Sequence, residues 1–141
     1  MRQFQIRKRI GEKSLDLLDK LIGFELPFLL RQILINYSGL SIEQDYYIDK
    51  NGNEWILAAF DNFNSIYKLT TEFKDSGWGN KIPFGYDEGG WHFCLSFDEE
   101  TFGKVLINRW TDHLPEDQFV IIADYFEEFI DGLHERPEHL K

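Results

Sequence analysis

Residues 82–97 constrain this chain most, because a short apolar run, an acidic glycine turn and a strictly alternating run follow one another there. The pattern predicts a long hairpin. Trp91, Phe93, Leu95 and Phe97 are large and apolar while His92, Cys94 and Ser96 are small or polar, so a period of two puts the large side chains on one face, and that face needs a covering layer. Gly89 and Gly90 supply the backbone freedom of a tight loop, which leaves Asp87 and Glu88 in solvent at its tip. These acids, with the aromatics Tyr86 and Trp91 beside them, are either a candidate partner-binding site or simply a solvated tip.

The flanking sequence predicts the covering layer. Leu15, Leu18, Leu21 and Ile22 recur at helical spacing, with Ser14 as a possible N-cap and Gly23 as a stop. Pro27 then opens a second helix whose Leu26, Leu30, Ile33 and Tyr37 share a face and which ends at Ser38-Gly39. Asn51-Gly52 between alternating runs favours a type I′ hairpin, with Ile48 opposite Trp55 and Asp49 opposite Glu54. A middle helix follows from Asp61 or Asn62, carrying Phe63, Ile66, Leu69 or Thr70, and Phe73 inward. Asp98, Glu99 and Glu100 read as a solvated corner leading into a strand through Val105 and Ile107. Phe119, Ile122, Phe126, Phe129 and Leu133 predict a long last helix. Its far face would carry an acidic stripe of Asp117, Asp124, Glu128, Asp131 and Glu135, the rival candidate surface. Helices before and after hairpin-joined strands imply an α+β domain with an antiparallel sheet. With 141 residues the expectation is one domain over 1–141, its core spanning about 12–134.

Charge is unevenly placed. Residues 1–36 hold seven basic against four acidic side chains, +3, and residues 37–141 hold eight against twenty-one, −13. An acidic body repels nucleic acid phosphates and attracts a basic protein partner. No secretory signal is evident near Arg2, Arg7, Lys8 and Arg9, and no apolar run reaches the length of a membrane span. Cys94 stands alone, which excludes an intramolecular disulfide and fits a cytoplasmic location; the acidic charge and the lack of an apolar span argue against nucleic acid or membrane as partner.

Chemical motifs fail one by one. Asp49-Lys50-Asn51-Gly52-Asn53 opens like a calcium loop, but Glu54 stands where glycine is required and Phe60 where the bidentate Glu belongs. His134 and His139 are five residues apart across Pro137, which is not zinc spacing. Cys94 and His92 lie about 7 Å apart along a strand, too far for a thiol–imidazole pair. The paired acids have no apolar pocket to split their pKa values. The sequence offers no catalytic, cofactor or metal residue.

Three short blocks carry a family resemblance: Glu25-Leu26-Pro27 with Asn36-Tyr37-Ser38-Gly39, then Ile82-Pro83-Phe84-Gly85-Tyr86-Asp87-Glu88-Gly89-Gly90, and last Phe126-Glu127-Glu128-Phe129-Ile130. In this order they resemble the SUKH superfamily, which contains the yeast Smi/Knr-type cell-wall-synthesis regulator domain and many bacterial immunity proteins of polymorphic toxin systems. Trp91 departs from the asparagine that commonly follows the glycine turn in that family. The resemblance implies a non-catalytic α+β domain without cofactor that binds and blocks a cognate toxin, often a nuclease. The alternative it implies is a regulatory interaction module of the cell-wall-synthesis kind.

Overall fold

The computed structural model describes residues 11–140. The basic positions Arg2, Arg7, Lys8 and Arg9 lie outside the described residues. Helix α1 (Glu12–Ile22) stops at Gly23, whose φ of 84° gives the left-handed cap expected of it; its N-cap is Gly11 without a side-chain bond, so Ser14 lies inside the helix. Helix α2 (Phe28–Tyr37) follows Pro27. Asp19 ties the two together, accepting the Leu26 N–H at 2.9 Å on one oxygen and the Arg31 guanidinium on the other. Leu15, Leu18, Ile22, Leu30 and Leu34 are thereby held in a shared core.

Strands β1 (Tyr46–Ile48) and β2 (Glu54–Ile56) form a separate hairpin. Its register is Tyr47 with Trp55 and Ile48 with Glu54, one residue away from the expected pairing. The loop is longer than two residues. The Asp49 N–H donates to the Asn53 carbonyl and Gly52 N–H to the Asp49 carbonyl, and only Gly52 takes positive φ, whereas a type I′ turn needs it at both central positions. Asp49 turns inward instead of facing Glu54: its carboxylate accepts the N–H groups of Asn51 and Asn53 and the Trp55 indole N–H, at 2.9 to 3.0 Å.

The main sheet is an antiparallel meander in the order β3 (Ala59–Phe60), β4 (Lys81–Tyr86), β5 (His92–Ser96), β6 (Val105–Asn108), β7 (Phe119–Ala123). The two-residue β3 gave no periodic signal. Pro83 is tolerated in β4 because the bonded pairs either side of it, such as the Phe97 N–H to the Asn80 carbonyl, turn its nitrogen away from β5, toward a flank that β3 is too short to reach. Gly85 sits at the β4 bulge, where a Cβ would fall 3.0 Å from the Ala59 carbonyl and collide with Leu57.

Both faces of the sheet are covered. On one, Phe84 and Phe93 meet Phe129 at ring separations of 5.7 and 5.3 Å, and Phe126 packs edge-on to Phe84. On the other, helix α3 (Phe63–Asp75), capped by the Asn62 side chain accepting from Ser65 N–H, sends Phe73 against Phe119, Trp78 and Trp110. Cys94 and Ser96 are therefore buried as completely as Phe93. Asp98 is not part of a solvated corner, because it accepts the Asn80 N–H at 2.7 Å and pairs with the buried Lys81 ammonium at 2.6 Å; Glu99 and Glu100 are the exposed acids there.

The last helix is the largest departure. Phe119 to Ala123 is strand, and α4 (Phe126–Asp131) begins only after Tyr125. Phe119, Ile122 and Phe126 have helical spacing, yet Val120-Ile121-Ile122 is a β-branched run that suits a strand, and pairing with β6 decides it. The acidic stripe dissolves accordingly: Asp117 lies in a 3₁₀ turn before β7, while Asp124 sits between β7 and α4, bound by Lys50 and Lys104.

Candidate functional site

The β4–β5 turn, residues 87–91, is built around a side chain that the sequence places in solvent. Asp87 Oδ1 accepts the N–H groups of Gly89 and Trp91, both at 2.9 Å, while the Asp87 N–H donates to the Trp91 carbonyl at 2.8 Å. Asp87 is half-buried and acts as the internal brace of the loop. Gly90 takes φ of 91°, which a side chain would strain. Glu88 is the free acid of the tip, with its side chain 67% exposed and one oxygen 3.9 Å from the Arg136 guanidinium. That guanidinium is otherwise engaged by Asp45 at 3.0 Å.

The two aromatics of the tip are sent to opposite sides. Tyr86 pairs with His92 across the hairpin, and their rings lie 5.8 Å apart on the α3 side. Trp91 turns the other way, toward Trp55 at 6.5 Å, its indole N–H donating to Asp112 at 2.8 Å and its ring against His113. Tyr86, Asp87, Glu88 and Trp91 thus share one end of the sheet but do not make one patch.

Between α3 and the tip runs an open groove of about 370 Å³, with Tyr86, Gly90 and His92 on one wall and Ser65, Lys68 and Glu72 on the other. His92 Nδ1 lies 3.0 Å from Asp61 Oδ2, and both side chains are largely buried. Behind them stands Trp110, the one non-glycine among the described residues with positive φ, at 55°. Its N–H donates to Asn108 Oδ1, its indole N–H donates to the Gly90 carbonyl at 2.9 Å, and its ring meets His92 edge-on at 5.6 Å. A bulky residue held there is a costly backbone choice, held by ring contacts with Phe73, Trp78 and His92 and by the indole bond to Gly90. Neither Trp110 nor Asp61 carries a sequence signal for this role, since each is distant from the tip along the chain and is joined to it only by the sheet.

His92 and Asp61 form an oriented pair, and Ser65 lines the same groove. Cys94 is fully buried, and burial pushes its thiol well above the ordinary value, so the reactive thiolate is suppressed. Among the described residues no group of three or more His, Cys, Asp or Glu is arranged to hold a metal ion, and the one carboxylate of the calcium-like loop that points inward, Asp49, is occupied by three N–H donors. No helix among the described residues is long and apolar enough to cross a membrane.

The chain matches, over residues 12–130, the family described as SMI1-KNR4 cell-wall, SUKH_6. It is also 30% identical over 102 residues to the SPbeta prophage-derived uncharacterized protein YokK of Bacillus subtilis strain 168, an alignment covering 68% of this chain. The chain spans about half of that relative's length, 50%.

Proposed function

The chain belongs to the SMI1-KNR4 (SUKH) family, and from that premise we propose that it is a non-catalytic protein-binding domain, an immunity protein that neutralises a cognate toxin by forming a stoichiometric complex in the cytoplasm. The match over residues 12–130 carries this reading. Two further observations support it. The formal net charge of −10 suits a partner with a basic surface, such as a nuclease cleft, which an acidic face occupies in place of phosphate. The tip is braced from within by Asp87, so Glu88 and Tyr86 are presented without the ordering penalty that a mobile loop would carry on binding.

The partner-binding residues of this reading are Tyr86, Glu88 and Trp91, with Asp87 holding them. Co-expression with the product of the adjoining gene tests it, the expected result being a complex of defined stoichiometry and relief of that product's toxicity. Glu88→Arg slows association and flattens its dependence on salt, because a steering charge is reversed. If the adjoining product neither binds nor is inhibited, the immunity reading fails, and a regulatory interaction module becomes the better one, in keeping with the words cell-wall in the family's description.

A further inference from the structure

The two edges of the main sheet are finished differently. At the β3 edge the strand is two residues long and its outer side is closed, with Phe60 N–H donating to the Leu40 carbonyl at 2.9 Å. At the β7 edge, pairing fixes which groups point outward. The Arg109 N–H donates to the Gln118 carbonyl at 2.8 Å, which makes 109 with 118 a bonded pair; alternation along the register then bonds Ile107 with Val120 and leaves Asn108 with Phe119 and Leu106 with Ile121 unbonded pairs. The N–H and C=O groups of Phe119 and Ile121 therefore face away from β6, and they take no partner among the described residues. The open stretch is bounded on both sides. The Arg109 guanidinium takes the Asp117 carbonyl before it, and beyond it the bulge at Ile122 gives its carbonyl to the Tyr47 hydroxyl at 3.2 Å.

Nothing in the β7 sequence defends this edge. Proteins ordinarily blunt such an edge with a lysine, a proline or an inward charge, and Phe119-Val120-Ile121-Ile122-Ala123 has none of these. Ile121 is 44% exposed and Leu114 and Tyr125 nearby in sequence are more exposed still, so the edge has an apolar shoulder. Exposed acids stand at both ends, Glu116 and Asp117 before the strand and Glu127 after it, while Asp124 is paired with Lys50 and Lys104.

We infer that the outer edge of β7 is a docking site for an extended strand of a partner protein, apolar at its centre and flanked by Lys or Arg, which adds to the sheet beside Phe119 and Ile121. Main-chain bonds to those two residues supply the affinity, and the acids at both ends select basic flanks. Charge decides between this occupant and a second copy of the chain: each molecule carries a formal −10, which opposes self-association and favours a basic partner. The inference rests on the protein-binding reading and names how that partner is held.

The test titrates the isotope-labelled full chain with a short peptide of alternating valine and threonine carrying a lysine at each end. Amide shifts confined to residues 117–122, with slowed hydrogen exchange at Phe119 and Ile121, are expected. The same peptide with alternate backbone nitrogens methylated gives neither. Ile121→Pro removes one outward N–H and no ladder bond, so the melting temperature is retained while peptide affinity falls about fivefold or more. If proline disturbs the fold, the methylated peptide carries the comparison alone. Shifts at residues 86–91, no shifts at millimolar peptide, or protected Phe119 and Ile121 amides in the free chain overturn the inference. So does a dimer that Ile121→Pro dissolves, which gives the edge to a second copy. An adjoining-gene product that binds wild type and Ile121→Pro equally leaves the proposed function standing and removes the edge from it, whereas edge binding by the peptide with no bound gene product does the reverse.

Discussion

Replacing Asp87 separates what the tip's acid does as a charge from what it does as a brace. Its carboxylate accepts two backbone N–H bonds at 2.9 Å inside a turn of five residues, 87–91, and among the described residues bonds to no side chain. Hydrogen bonds to a charged acceptor contribute about 1.5–3 kcal/mol each, and solvent at a half-exposed turn reduces that, so Asp87→Ala is expected to cost about 2 kcal/mol. With a urea m-value of about 2 kcal/mol/M for a domain of this size, the unfolding midpoint falls by about 1 M. Asp87→Asn keeps an oxygen in the same place and loses only the charge, so its midpoint stays within a few tenths of a molar of wild type. Binding of the adjoining-gene product should follow the same order, weakened by Asp87→Ala and nearly unchanged by Asp87→Asn. Equal damage from the two substitutions would refute the assignment, because it would mean that the charge itself is what the partner or the fold uses.

Lys81 and Asp98 predict a second asymmetry. Lys81 is 7% exposed, donates to the Trp78 carbonyl at 2.7 Å and lies 4.2 Å over the Phe119 ring, whereas the Asp98 side chain is 30% exposed. Asp98→Ala strands a buried cation and is expected to cost about 3–5 kcal/mol, while Lys81→Met fills the same space and costs about 1–2 kcal/mol. Chemical denaturation of the two variants ranks them, and the reverse order would sink the argument. Asp49 predicts the acid limb of stability. Burial pushes its carboxyl up, but hydrogen bonds from Trp55, Asn53 and Asn51 outweigh burial and hold it below its ordinary value of 3.8. A depressed folded-state pKa contributes stability that is present above the ordinary value and lost as pH falls below it. Urea midpoints of wild type should therefore decline more steeply below about pH 4 than those of Asp49→Asn; parallel curves would show that Asp49 does not drive the loss.

The helical positions were legible because their signals are local. Leu15, Leu18 and Ile22 define a face by spacing alone, and Gly23 stops the helix by its own backbone freedom. The central hairpin was legible for the same reason, and Phe93, Leu95 and Phe97 all enter the core. The Asn51-Gly52 turn misled by one residue, since Asp49 supplies a cap for the three-residue loop and draws the strands into that register. Nothing in the spacing of Asp87, Gly89 and Trp91 reveals that the acid is turned inward, because an exposed acid and an acid bonded to the N–H two residues on have the same sequence.

The misreading of the last element bears most on function. Read as helix, residues 117–135 present a continuous acidic stripe and leave the sheet with β6 as its edge. As observed, Phe119–Ala123 extends the sheet and the stripe breaks up, with Asp124 neutralised by Lys50 and Lys104 and Glu128 accepting the Asp124 N–H. The rival binding surface is lost with it, and an open strand edge takes its place. Trp91 bonds to Asp112 and Trp110 bonds to Gly90, so the segment leading into β7 is anchored on the very turn that carries Glu88. A partner strand paired with Phe119 would therefore arrive at the same end of the sheet as the acidic tip, three strand spacings or about 14 Å from β5. On the proposed reading, steering by Glu88 and capture by the β7 edge would be successive steps of one association: Glu88→Arg should act on the on-rate and Ile121→Pro on the off-rate. Surface plasmon resonance of the two variants against the adjoining-gene product separates them, and a shared effect on the off-rate alone would break the connection.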